Sequence, residues 1–155
     1  MKRACILTVS DTRDLNTDKS GQLIAERLQQ HGVTIMARHV VIDDIVDIQR
    51  QFLSFEQLAP DLIITNGGTG IAQRDVTIAA LTPLLPTRIP GFGEAFRELS
   101  FAEIGTRALA SKAEAGFNAR NQLCYCLPGS TNACLTALNR LILPEFEHLL
   151  FERHK

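Results

Sequence analysis

Leu62-Ile63-Ile64 is a short run of apolar, β-prone residues that starts behind Pro60-Asp61 and runs straight into Thr65-Asn66-Gly67-Gly68-Thr69-Gly70. The run reads as a short buried strand, and the glycines at its end read as a turn. A strand of this kind needs neighbours in a sheet, and a glycine-rich exit lets backbone come close to whatever lies beyond its end. The rest of the chain has to supply both.

Gly67, Gly68 and Gly70 carry no Cβ and tolerate positive φ, so a turn built from them can aim backbone N–H groups at an anion. Thr69 adds a hydroxyl, and Asp75 lies five residues past the last glycine, near enough to return a carboxylate to the same place. A carboxylate repels phosphate unless a divalent cation lies between them, and Mg²⁺ is commonly held by one or two carboxylates together with phosphate oxygens. The residues therefore point to a nucleotide-type phosphate site with a metal. Two familiar phosphate motifs do not fit. A P-loop needs Gly-Lys-Ser/Thr where Gly70 is followed by Ile71, and a dinucleotide fingerprint needs a third glycine where Gln73 stands. The competing reading is a glycine turn that simply lets a strand meet a helix closely.

A chain of 155 residues fits one domain over residues 1–155. A hydrophobic content of 45% argues against disorder. The 16 basic and 17 acidic residues are dispersed and leave a net charge of −1, without the basic stripe that nucleic-acid binding requires. The apolar run after Met1-Lys2-Arg3 is too short for a signal peptide or a membrane span, so it reads as a first strand. Cys5, Cys124, Cys126 and Cys134 read as reduced thiols of a cytoplasmic protein.

Ala4 to Val9 is apolar almost throughout, as in a parallel sheet covered on both faces, and the polar segment Ser10 to Ser20 has the length of a functional loop. A helix is expected from Ser20 to His31-Gly32, and a strand from Val33 to Ile42. A second helix carries Ile45, Ile48, Phe52 and Phe55 on one face. Asp75-Val76-Thr77 opens a short helix that ends near Thr82-Pro83. The next helix begins at Pro90-Gly91-Phe92 and carries Phe92, Phe96 and Phe101, a density of aromatics that suggests contact with another subunit. Residues 113–122 read as a hairpin or a crossover. Leu123 to Leu127 is a strand with both thiols on one side, better explained by the core than by zinc. Helices run from Ser130 onward, interrupted at Pro144; His148 and His154 have no chemical partners.

Strands alternating with helices predict an α/β domain with a mainly parallel central sheet covered on both sides, whose ligands bind beyond the carboxyl ends of the strands. Ser10-Asp11-Thr12, Asp43-Asp44, Asn66 to Gly70 with Asp75, and Gly129-Ser130-Thr131 all leave strands that way. Asp43-Asp44 could cap the following helix. With Asp75 on the same rim, one of them can cap while the other faces a metal-phosphate site.

Thr65-Asn66-Gly67-Gly68-Thr69-Gly70 with Arg74-Asp75-Val76-Thr77, then Ile89-Pro90-Gly91-Phe92-Gly93-Glu94, then Leu127-Pro128-Gly129-Ser130, in this order and spacing, resemble the MogA/MoaB family of molybdenum-cofactor biosynthesis proteins. Ser10-Asp11-Thr12-Arg13 and Thr17-Asp18-Lys19-Ser20-Gly21 look more like the MoaB branch. Asn66 stands where that family commonly has Thr or Ser, and either residue type can hydrogen-bond. The resemblance implies a three-layer α/β/α domain that assembles as a homotrimer or homohexamer. It also implies that the chain binds molybdopterin and transfers AMP from ATP, with Mg²⁺, to the terminal phosphate of the pterin. By the same resemblance Asp44 and Asp75 take the metal-binding and catalytic positions, and Asn66, Gly67, Gly68, Thr69 and Gly70 take the nucleotide-phosphate turn. Ser10, Asp11, Glu94, Gly129 and Ser130 are then placed against substrate. The alternative within the same pathway is a carrier that holds pterin or nucleotide without catalysing transfer.

Overall fold

The computed structural model describes residues 1–155. Six strands form one sheet: β1 (Arg3–Val9), β2 (Thr34–Val41), β3 (Leu62–Asn66), β4 (Thr87–Arg88), β5 (Glu114–Phe117) and β6 (Leu123–Leu127). Their spatial order is β2-β1-β3-β6-β5-β4. The first four in that order are parallel, whereas β5 runs antiparallel to both β6 and β4. Helices α1 (Lys19–Gln30), α2 (Ile45–Gln57), α3 (Thr77–Leu81), α4 (Pro90–Ile104), α5 (Thr131–Ala137) and α6 (Leu143–Arg153) cover it.

The apolar character of the central strands follows from their having two faces to bury. Ile6, Ile64 and Tyr125 stand side by side in register and join a core with residues of α1, α4, α5 and α6. The adjacent row, Cys5, Ile63 and Cys124, points to the other face and packs with Phe52 and Phe55 of α2 and with Ala80 and Leu81. The period of two puts Cys124 and Cys126 together in this second core; all four cysteines are buried and free. Burial pushes the Cys5 and Cys126 thiols up to about 11, so they stay protonated at neutral pH.

Several local expectations are refined. Helix α1 begins one residue before Ser20 because Asp18 caps it, accepting the N–H of Gly21 at 3.0 Å. Residues 114–127 form a hairpin: Asn121 adopts φ 61°, and the Asn118 carboxamide oxygen accepts the N–H groups of Arg120 and Gln122. The two-residue strand β4, which no periodicity announces, borders it. Phe92 and Phe96 serve this chain's own core, leaving only Phe101 of that group exposed. The last helix is not broken at Pro144. A π-helical turn at Leu138–Ile142 widens the coil ahead of the proline, which sits in the first turn of α6 where its missing N–H costs little. No helix is long and apolar enough to cross a membrane.

Candidate functional site

Strand β1 hydrogen-bonds β2 on one side and β3 on the other, so the chain reverses its direction of travel across the sheet there. The loops leaving β1 and β3 must diverge, and a crevice opens beyond the strand ends. A cavity of about 450 Å³ occupies this position, and of its 20 lining residues only two are hydrophobic. Residues after β1, β2, β3 and β6 all contribute, as the parallel arrangement requires.

The glycine turn forms the floor. Gly67 has φ 96° and Gly68 φ 70°, and a Cβ on Gly67 would stand 2.2 Å from the carbonyl oxygen of Val9 on β1. Both positions exclude a side chain, for reasons of backbone and of space. Thr77 pins the turn from behind, its hydroxyl donating to the Gly67 carbonyl at 2.9 Å and its N–H to that of Gly68 at 3.0 Å. The Gly67 N–H is taken by Leu127, whereas those of Gly68, Thr69 and Gly70 have no acceptor within the chain and remain for an anion.

Beneath the turn lies a buried polar network. The Asn66 amide donates to Thr8 at 2.9 Å and its oxygen accepts the Ser20 hydroxyl at 2.8 Å, while Thr8 donates to Asp18 at 2.6 Å. Asp18 also pairs with Arg38 at 3.2 Å. Asn66 thus borders the cavity, but its side-chain bonds are spent on holding β1, β3 and α1 together. Ser10 is similarly engaged, its hydroxyl oxygen accepting the N–H groups of Thr12 and Arg13.

Three carboxylates enter the cavity: Asp11, Asp43 and Asp75. Asp11 accepts the Asp43 N–H at 2.9 Å, and Asp75 accepts that of Ala72 at 3.0 Å. Oxygens of Asp43 and Asp75 lie against Gly68 and Gly70, at 3.2 and 2.7 Å from where a Cβ would stand. Burial pushes the Asp43 carboxyl above the usual range, and the charges of Asp11 and Asp75 push it further in the same direction. Arg74 opposes the shift only in part. No three His, Cys, Asp or Glu side chains close around one point to hold a cation by themselves.

Asp44 is where the structure departs from the expected site. Its carboxylate accepts the Asp47 N–H at 3.0 Å as the N-cap of α2, pointing to solvent, while its neighbour Asp43 takes the place in the cavity. Ser130 is likewise an N-cap, of α5, accepting the Ala133 N–H, and Glu94 is exposed on α4; neither lines the cavity. Ser10, Asp11, Asn66 to Gly70, Asp75 and Gly129 do. The lining also holds four cations to which the expected site assigned no role: Arg13, Arg74, Arg107 and Lys112. Arg13 and Arg74 belong to the motifs Ser10-Asp11-Thr12-Arg13 and Arg74-Asp75-Val76-Thr77, next to residues that the expected site did include or adjoin. Arg107 and Lys112 carry no local signal, since they arrive on the segment ahead of β5, whose antiparallel course starts at this rim.

A family model described as a probable molybdopterin binding domain matches residues 5–148. The chain belongs to this molybdenum-cofactor biosynthesis family. Molybdenum cofactor biosynthesis protein B of Staphylococcus aureus strain COL is 51% identical over 156 residues, covering 99% of this chain and 92% of that protein. The crystal structure of a molybdenum cofactor biosynthesis protein B superposes with a TM-score of 0.93 at 45% identity, covering 99% of this chain and 96% of the other. The tungsten cofactor synthesizing protein MoaB from Pyrococcus furiosus also superposes at 0.93, with 32% identity over 100% of this chain and 98% of the other. A MogA structure superposes with a TM-score of 0.89 at 28% identity, covering 98% of this chain and 99% of the other, so the fold is that of the MoaB and MogA structures, and the family resemblance drawn from the motifs holds.

Proposed function

We propose that the chain transfers AMP from Mg-ATP to the terminal phosphate of molybdopterin. The observation that carries this reading is the pairing, on the two sides of one glycine turn, of unpartnered N–H groups with the Asp43 and Asp75 carboxylates. The raised Asp43 carboxyl fits a cation site, because burial and then the charges of Asp11 and Asp75 disfavour its ionised form, Arg74 offsets them only in part, and a divalent ion beside it would favour the carboxylate. Asp43 and Asp75 would hold Mg²⁺, with phosphate oxygens and water completing its coordination. Bound there, the metal would offset polyphosphate charge during displacement.

The chain's own residues account for the rest. The N–H groups of Gly68, Thr69 and Gly70 donate to phosphate oxygens and stabilise charge on the transferring group. The rigid floor made by Thr8, Asn66, Ser20 and Thr77 fixes their direction, so little reorganisation is needed. An oxygen of the pterin phosphate attacks the α-phosphorus, the bond to the β-phosphate oxygen breaks, and pyrophosphate leaves. The attacking oxygen is already anionic, so no general base is required, which is consistent with a cavity lined by no histidine.

The test is Mg-dependent pyrophosphate release from ATP in the presence of molybdopterin, for the unmodified chain, Asp75→Asn, Asp43→Asn and Asp44→Asn. Release is expected from the unmodified chain and from Asp44→Asn, and a loss of about 100-fold or more from each of the other two. Nucleotide binding without release in any of them would instead indicate a carrier.

A further inference from the structure

A second cavity, of about 410 Å³, adjoins the first and shares Gly68, Gly70 and Asp75 with it as lining residues. Ile78, Ala79, Thr82 and Pro83 give it a more apolar lining than the first. One further residue, Lys112, lines both cavities. Lys112 is exposed and forms no ion pair within the chain.

The proposed transfer brings two anions together, and each needs its own positive charge if repulsion is not to hold them apart. The carboxylates and the cation they would hold serve the polyphosphate. Of the protein cations, Arg13 donates to the Ser20 hydroxyl and the Gly129 carbonyl, Arg74 acts on Asp43, and Arg107 lines the first cavity only. Lys112 alone stands where the two spaces meet. We infer that Lys112 is a specificity-determining residue that receives the phosphate monoester of the acceptor at the passage between the cavities, with the acceptor's ring system in the second cavity against Ile78 and Pro83. An ammonium group with three donors suits a dianionic phosphate terminus and gives no comparable hold on a neutral alcohol. The inference rests on the transferase reading for its two substrates, but it concerns binding and is testable apart from turnover.

Mg-ATP and molybdopterin are titrated separately, by calorimetry or by quenching of pterin fluorescence, into the unmodified chain, Lys112→Ala and Lys112→Arg, with circular dichroism melts to show that all three fold alike. Lys112→Ala is expected to raise the Kd for molybdopterin at least tenfold while changing that for Mg-ATP less than twofold. Lys112→Arg should recover most of the loss. Dephosphorylated pterin should bind weakly and equally to all three. Equal losses for both ligands, no loss for the pterin, or no pterin binding by the unmodified chain would overturn the inference. Pyrophosphate release with an unaltered KM for the pterin in Lys112→Ala would overturn it and leave the transferase reading standing. Lys112-dependent pterin binding without release would do the reverse.

Discussion

Gly67, Gly68 and Gly70 stand in one turn, yet the third is a glycine for a different reason from the first two. Gly70 has no left-handed backbone; a Cβ there would meet only the Asp75 side chain, a carboxylate oxygen at 2.7 Å and the carboxyl carbon at 3.6 Å. That side chain can rotate, whereas the Val9 carbonyl facing Gly67 cannot. Gly70→Ala is therefore expected to fold with a stability change within about 1 kcal/mol, but to push Asp75 aside and weaken Mg-dependent nucleotide binding about tenfold. A thermal melt beside a Mg-ATP titration checks both halves; a large loss of stability with intact binding would refute the assignment. Three glycines and an aspartate were plain in the sequence, but the contact that makes the last glycine matter to the aspartate was not.

Helix α1 shows how an element can carry the site without touching a ligand. Its cap, Asp18, is 2% exposed and accepts from Gly21, Thr8 and Arg38 together, so it joins α1 to β1 and β2. Removing it leaves the guanidinium of Arg38 without its carboxylate and the Thr8 hydroxyl without its acceptor. The Arg38 side chain is 22% exposed, which lets water recover part of the loss. Asp18→Ala is expected to cost about 3 kcal/mol in urea unfolding, and to loosen Asn66 and with it the turn. Helix α2 offers the contrast. Of the pair Asp43-Asp44, the member that the resemblance places at the metal, Asp44, caps the helix, and Asp43 lines the cavity. Both residues suit an N-cap equally by type, and only the way the chain leaves β2 settles which carboxylate turns inward.

At the scale of the whole molecule, Glu56 links the layers: it sits on α2, nearly buried, accepting the Asn118 amide at 3.0 Å across to the β5–β6 hairpin. Burial raises its carboxyl above the ordinary range, and the more distant Arg120 at 3.9 Å only partly opposes this. The folded chain then holds that proton more tightly than the unfolded one. The contribution of this group to stability accordingly increases as pH falls through its raised range and is lost as pH rises out of it. Glu56→Gln keeps the acceptor for Asn118 and removes the charge, so it should melt higher than the unmodified chain at pH 7.5 and show a smaller difference near pH 4.5. A lower melt at pH 7.5 would show that the pairing with Arg120 outweighs burial. By itself, the sequence determined the features that neighbouring residues settle among themselves: strands apolar on both faces, a glycine turn at the end of one of them, an alternation with helices that implies a mainly parallel covered sheet, and motifs that mark the family. The tertiary structure decided what depends on chain crossings many residues apart. It turned Asp43 inward and Asp44 outward, gave Ser130 to a helix cap and Glu94 to solvent, and brought Arg107 and Lys112 to the rim on the segment that leads into the antiparallel strand β5. Alternation and turn chemistry act over a few residues and can be read locally, whereas the facing of a side chain across a cavity is fixed only when the whole sheet has closed its register.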